Sequence, residues 1–452
     1  MGLGRLNVVW VLLRSSEKPS DGNQSASWRL VVGGVINAPM KETYIHRTLD
    51  CGIELAVMPI DGRRTTAYDI RLMCGLADEP ADRLGLAGVV EETLDKGTNA
   101  KSAQEITDAF DAIGAQAGST VGRESMLLRC SCLPEYVEKS LALHAEMLRT
   151  PTFPDEFCKV AVELGQQELT AMEDDPGEMS RKMLAPLAYG DVLGRHELGT
   201  KESLGRITRD DVVGYWKKNF VAGRMQISIG GAVDVEAVMR TIERLFAGYG
   251  DSKKAGRDGF PVTFTPGFKH HPKELEQEHI LMCWPGVAVT DAAYPAEHLM
   301  LEILSGGMSS RLFTEVREKQ GLVYWVGAWD EHPRKSGMVF MGASTTPARC
   351  ELTFKTLLRE VDRLAEDVTE DELTRAKVGV IAKTQTHGDI TRARVSELAA
   401  DLFHYGRPMS TEEKNAKVSA VTIADVRRYL AEHTRDRLSV LTLGPKEMEK
   451  HG

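Results

Sequence analysis

Residues 85–98 read GLAGVVEETLDKGT. Leu84, Ala87, Val90, Glu91 and Leu94 recur three or four apart, so the stretch predicts a helix with one mostly apolar face, stopped at Gly97. On that helix Gly88, Glu91 and Glu92 fall at i, i+3 and i+4, and therefore on one side. An inverted zinc motif, H-x-x-E-H, uses this geometry to present two imidazoles to a metal with a glutamate between them as general base. Here Glu91 stands at the base position, but the two histidine positions hold Gly88 and Glu92. The helix is thus either a working hydrolytic site or the remains of one.

Composition bounds the possibilities. A chain of 452 residues is too long for one ordinary core and predicts at least two. With 42% hydrophobic and 27% charged residues it has the make-up of a soluble globular protein. The net charge of −10 is spread over interleaved acids and bases. No basic run or basic-aromatic stripe occurs, which excludes a nucleic-acid binder. Seven scattered cysteines in apolar surroundings read as buried free thiols of a reducing compartment. The cytoplasm is the expected location, with the periplasm as the alternative. Cys130-Ser-Cys132 has no second Cys or His pair nearby and reads as core. No apolar run reaches the roughly 18 residues of a membrane helix. Residues 1–39 read as a disordered or leader-like tail, with a short apolar run at Val8–Leu13 and then a Ser-, Asn- and Gly-rich stretch.

Along the chain, Thr43–Pro59 predicts a hairpin, and Ala67–Leu76 and Ser125–Cys132 predict strands. Ser102 with Glu105 forms a capping-box pattern before another helix, and Pro154 opens a long one. Residues 249–275 lose all periodicity to Gly, Pro, Lys and Asp and read as a linker, with His270 and His271 at its surface. Beyond the linker the pattern of the first half recurs. Ile70–Cys74 is answered by His279–Cys283. The unit from Ile207 through Thr208, Asp211 and Tyr215 to the strand Met225–Gly230 is answered by Val421, Thr422, Asp425, Tyr429 and the strand Arg437–Leu443. The expected fold is α+β: two homologous halves, 40–248 and 276–452, each a mostly antiparallel sheet packed against long helices. Together they suggest a clam with a central cleft.

Three stretches resemble the pitrilysin and mitochondrial-processing-peptidase family of inverted-motif zinc peptidases, and the likeness runs over residues 40–452. The first is the opening helix. The second is Glu168-Leu-Thr-Ala-Met-Glu-Asp-Asp-Pro176, which is similar to the segment carrying the family's third, carboxylate ligand. The third is Ser305–Tyr324, SGGMSSRLFTEVREKQGLVY, which resembles the second-half signature at length.

The resemblance implies a degenerate metal site at Gly88, Glu92 and Glu168, with Glu91 as a vestigial general base. Gly88 offers no ligand, and a carboxylate-only set suits zinc poorly. The three acids are expected to face solvent as an acidic helix surface, and Gly88 has no local reason in the sequence. His298 and Glu302, at i and i+4 on the helix that answers the opening one, read as structural. The resemblance also assigns Arg317 and Tyr324 to substrate binding, as directional donors to a peptide carbonyl. The alternative is Arg317 paired with Glu315 or Glu318 and Tyr324 packed in a strand. The functional expectation is a pseudo-peptidase subunit. It would bind an extended or unfolded peptide and complete the active site of a zinc-bearing paralogous subunit, or dimerise with itself, and it would need no cofactor of its own. The alternatives are a structural or binding subunit like the respiratory-complex core proteins, and an atypical active metallopeptidase.

Overall fold

The computed structural model describes residues 42–253, 259–433 and 437–448; the expected tail, 1–39, lies outside the described residues. Strands rich in β-branched and aliphatic residues build two sheets. The first contains β1 (Ile45–Thr48), β2 (Glu54–Pro59), β3 (Thr66–Leu72), β4 (Gln116–Val121), β5 (Met126–Cys132) and β6 (Met225–Gly231), in the order β1-β2-β6-β3-β5-β4. The second contains β7 (Gly267–Pro272), β8 (Glu278–Gly286), β9 (Val323–Glu331), β10 (Gly337–Thr345) and β11 (Ser439–Gly444), in the order β7-β11-β8-β10-β9. Only β2 with β6 and β7 with β11 pair in parallel; the other neighbours are antiparallel.

The first half carries the helices α1 (Leu86–Thr93), α2 (Ala103–Asp111), α3 (Val137–Arg149), α4 (Asp155–Met172), α5 (Pro176–Leu193), α6 (Lys201–Leu204), α7 (Arg209–Asn219) and α8 (Val235–Phe246). The second carries α9 (Tyr294–Ser305), α10 (Cys350–Asp367), α11 (Glu370–Gly388), α12 (Thr391–Tyr405), α13 (Thr411–Ala420) and α14 (Ile423–Glu432). The capping box of Ser102 and Glu105 starts α2, and matching boxes of Thr208 with Asp211 and Thr422 with Asp425 start α7 and α14. The molecule is α+β with two homologous, clam-like halves. Strands β2, β6, β3, β5 and β4 of the first sheet have the connectivity of β7, β11, β8, β10 and β9 in the second.

That correspondence corrects the linker. Within 249–275, residues 267–272 are strand β7, the counterpart of β2. Its sequence, GFKHHP, shows no apolar alternation because β7 is an edge strand with a single neighbour. His270 is not at the surface: its side chain is 9% exposed, and Nδ1 lies 2.9 Å from the Thr442 hydroxyl. The residues before β7 are also pinned. Gly190, at φ +80°, interrupts α5. Around that break the Thr263 and Thr265 N–H groups donate to the Tyr189 and Leu187 carbonyls at 3.3 and 2.8 Å.

Most helices of each half cover one face of their own sheet, over cores centred on Tyr68, Ile70 and Leu141 in the first half and on Met282, Leu299 and Leu357 in the second. The opposite faces are covered by exchange. Leu184, Ala188 and Leu193 of α5, from the first half, pack on Leu281, Cys283 and Leu441 of the second sheet. Leu398 and Leu402 of α12, from the second half, pack on Ala56 and Met58 of the first. The boundaries at 248 and 276 therefore divide the repeat but not the packing. All seven cysteines are buried thiols outside any disulfide, as expected, with Cys130 and Cys132 in the first core.

Arg392 of α12 fastens one exchange. Its guanidinium pairs with Asp69, 1% exposed on β3, and donates to the Tyr68 and Cys130 carbonyls at 3.0 and 3.2 Å. Removing the cation leaves a buried carboxylate unpaired, which costs roughly 3 kcal/mol. Arg392→Met is expected to lower the urea midpoint accordingly, and adding Asp69→Asn should restore part of the loss. Equal midpoints for the single and double variants would contradict this role.

Candidate functional site

Helix α1 begins at Gly85, which sits in the left-handed region at φ +92° and supplies no side-chain cap. A side chain just upstream caps it instead. Oε1 of Glu79 accepts from the Gly85 and Ala87 N–H groups at 3.1 and 2.8 Å, while its buried Oε2 has no hydrogen-bond partner among the described residues. The 196–200 loop lies across the same end. A Cβ at Gly199, itself at φ +54°, would stand 2.3 Å from the Leu84 carbonyl oxygen, so only glycine admits this approach.

Gly88, Glu91 and Glu92, with Glu168 of α4, line one cavity of ≈ 270 Å³, together with Ser119 of β4 and Glu197 of the loop. The structure thus brings the three degenerate metal-site positions and the vestigial base position, Glu91, together. They do not form the uniform solvated face expected. Glu92 is exposed and pairs with Lys96 at 3.4 Å, and Glu168 is also exposed. Glu91 is half-buried and accepts a hydrogen bond from the Ser119 hydroxyl. Burial pushes the Glu91 carboxyl above its ordinary range; the Ser119 bond opposes that, and the carboxylates of Glu92, Asp95 and Glu197 add to it. Gly88 has a tertiary constraint that its local sequence does not show, since a Cβ there would come 3.1 Å from the Glu197 carbonyl oxygen. This donor set does not fit zinc. It lacks an imidazole, Glu92 is engaged with Lys96, and a backbone carbonyl crowds the place of the first ligand.

The second-half signature separates into an anchor and a display. Arg311, 9% exposed, pairs with Asp367 at 2.6 Å and with Glu372 at 2.7 Å, fixing the π-helical turn Leu312–Glu318 on the helices behind it. Gly321, at φ +57°, turns the chain into the edge strand β9. Arg317 makes no ion pair among the described residues. It stacks 5.0 Å from the Phe313 ring and 5.9 Å from the Tyr324 ring, and Tyr324 is 78% exposed. The pairing with Glu315 or Glu318 does not form; Glu315 binds Lys319 at 2.7 Å instead. The acidic cavity is walled entirely by residues 85–204, so Arg317 and Tyr324 form a second locus outside it.

Residues 61–201 match the family described as Insulinase (Peptidase family M16), and residues 206–379 match the one described as Peptidase M16 inactive domain. The chain belongs to the insulinase-like, pitrilysin family of peptidases. Family relatives named uncharacterized zinc protease include one from Rickettsia bellii, 27% identical over 389 residues, which are 86% of this chain and 94% of that one. Another, from Streptomyces coelicolor, is 28% identical over 409 residues, covering 88% of this chain and 89% of its own. In fold, the chain is similar to a peptidase M16 inactive domain from Pseudomonas fluorescens, with a TM-score of 0.82 and 20% identity over 90% of this chain and 99% of that one. A protease from Helicobacter pylori gives a TM-score of 0.81 at 16% identity, over 89% and 100%. No helix among the described residues is long and apolar enough to cross a membrane.

Within this insulinase-like frame, sequence reasoning missed Glu79, Ser119 and Glu197. Each meets the metal-motif helix from outside its own periodic pattern, so no local signal marks it. Glu79 has a measurable consequence. Burial raises its carboxyl from 4.5 to about 7, against the lowering effect of its two backbone hydrogen bonds. The folded state therefore favours the protonated acid, and that stabilisation, present in full below about pH 4.5, is lost as pH rises through about 7. The whole shift is worth on the order of 3 kcal/mol. Glu79→Gln keeps an acceptor oxygen and removes the titration. Denaturant unfolding across pH 4–8 is expected to show a shallower fall for the variant than for the wild type, and parallel curves would refute the assignment.

Proposed function

We propose that this chain is a non-catalytic member of the family that binds extended peptide and completes the active site of a zinc-bearing paralogous subunit. The observation that carries the reading is the contrast between its two loci: an acidic cavity without imidazoles, and an Arg317–Tyr324 pair turned to solvent and unengaged by its own cavity. Zinc held by the partner would supply the activated water. Arg317 and Tyr324 would donate to the scissile carbonyl as its oxygen gains negative charge, a task suited to a planar guanidinium and a phenol. Edge strands β9 and β4 each have one unpaired side, so an extended peptide can add to either sheet through main-chain hydrogen bonds. Tyr324 lies on β9 itself, which would put the phenol beside a peptide paired there.

Tagged chain purified from its host is expected to bring down a paralogue carrying an intact H-x-x-E-H and about one zinc per complex. That complex should cleave an unfolded peptide in a chelator-sensitive way, whereas the isolated chain should not. Arg317→Ala or Tyr324→Phe in the complex is expected to reduce kcat/KM by roughly 10²-fold or more, with assembly and zinc content unchanged. Full activity in both variants would instead indicate a structural subunit. Chelator-sensitive cleavage by the isolated chain, abolished by Glu168→Gln, would indicate an unusual metallopeptidase.

A further inference from the structure

Helix α9 occupies in the second half the place that α1 occupies in the first, and it carries a buried carboxylate with unused capacity. Glu297 is fully buried. Its Oε2 accepts from the Val287 N–H at 2.9 Å and from the Tyr429 hydroxyl, while Oε1 is buried with no hydrogen-bond partner among the described residues. An orphaned carboxylate oxygen at this depth is costly. Asp330, at the end of β9, and His332, in the turn after that strand, stand beside it. One ligating atom from each of Glu297, Asp330 and His332 lies within 4.8 Å of the other two.

The imidazole is oriented for ligation. His332 Nδ1 lies 3.1 Å from the Val287 carbonyl, which can only accept, so Nδ1 carries a proton. Nε2 is thereby directed at Asp330 Oδ2, 3.0 Å away. A single peptide residue, Val287, thus holds Glu297 through its N–H and His332 through its C=O. Metal-binding imidazoles are typically fixed by this kind of outer hydrogen bond. His298 Nδ1 stands 3.9 Å from Asp330 Oδ2, and His298, Tyr294 and Tyr429 line a neighbouring cavity of ≈ 770 Å³.

We infer that Glu297, Asp330 and His332 form a binding site for one divalent transition-metal ion of the zinc type, with His298 at its mouth. The donor set of one imidazole nitrogen and two carboxylates suits such an ion and leaves an open position. Tetrahedral zinc with bonds of about 2.0–2.1 Å spaces its ligand atoms roughly 3.3 Å apart. The Asp330–His332 pair, at 3.0 Å, is already near that spacing. With a neutral imidazole, two carboxylates and a divalent ion the site carries no net charge. This site is independent of the acidic cavity around Glu91 and Glu168.

The full chain, stripped with chelator, is titrated with Zn²⁺ by calorimetry and with Co²⁺ by visible absorption. One saturable ion per chain is expected, with a rise in Tm on loading. Asp330→Asn and His332→Gln should each weaken binding by about 10–100-fold or more and lower the visible ligand-field absorption of bound Co²⁺. Glu91→Gln and Glu168→Gln should change neither. Absence of saturable binding by the wild type at about 0.1 mM free ion overturns the inference without reference to any variant. So does binding that Asp330→Asn leaves intact while Glu168→Gln abolishes it.

Discussion

A sheet has two faces, and each half of this chain covers only one face of its own. That constraint ties the molecule together. The second face of the first sheet is closed by α12 and that of the second by α5, so neither half has a complete core without the other. The exchange also commits charge. Asp69 lies inside the first sheet because α12 brings Arg392 to it, and an unpaired carboxylate there would oppose folding. The break in α5 at Gly190 has a similar origin, since backbone groups there pair with the strand-like segment that leads into β7.

The metal-motif helix depends on this packing more than on its own sequence. Its first position, Gly85, supplies no cap of its own, and the start is held by the Glu79 side chain and by a loop that only Gly199 allows to approach. The same loop brings the Glu197 carbonyl against Gly88. A side chain at position 88 would therefore meet that loop. The cavity that remains is acidic, uneven in its burial, and closed to residues beyond 204. The second half developed differently. Arg311 is consumed in anchoring, which frees Arg317 to lie against Tyr324 at the surface.

The repeat also makes a comparison of equivalent helices informative. In the first half a buried glutamate, Glu79, caps α1 and retains an unpartnered oxygen; in the second, Glu297 sits within α9 and retains one too. Only the second faces an imidazole and another carboxylate. The same fold unit thus gathers acids without imidazoles in one half and a mixed donor set in the other.

Read alone, the sequence of this insulinase-like chain determined the duplication, the α+β class and most element positions, which rest on local patterns: helical and strand periods and capping boxes. The reading of Gly88 and Glu92 as former histidine positions, and the choice of Arg317 and Tyr324, rest instead on the family resemblance of two short stretches. Tertiary structure alone decided the helix exchange, strand β7, the Glu79 cap, the contact of Glu197 with Gly88, and the meeting of Glu297 with Asp330 and His332. Most of these join positions well separated in sequence; the Glu79 cap spans only six to eight residues but matches no helix-start pattern, and β7 is an edge strand whose exposed side chains need no apolar alternation. Pairing across such separations is set by which faces remain to be buried and which charges remain to be matched. Neither quantity exists until the chain has folded.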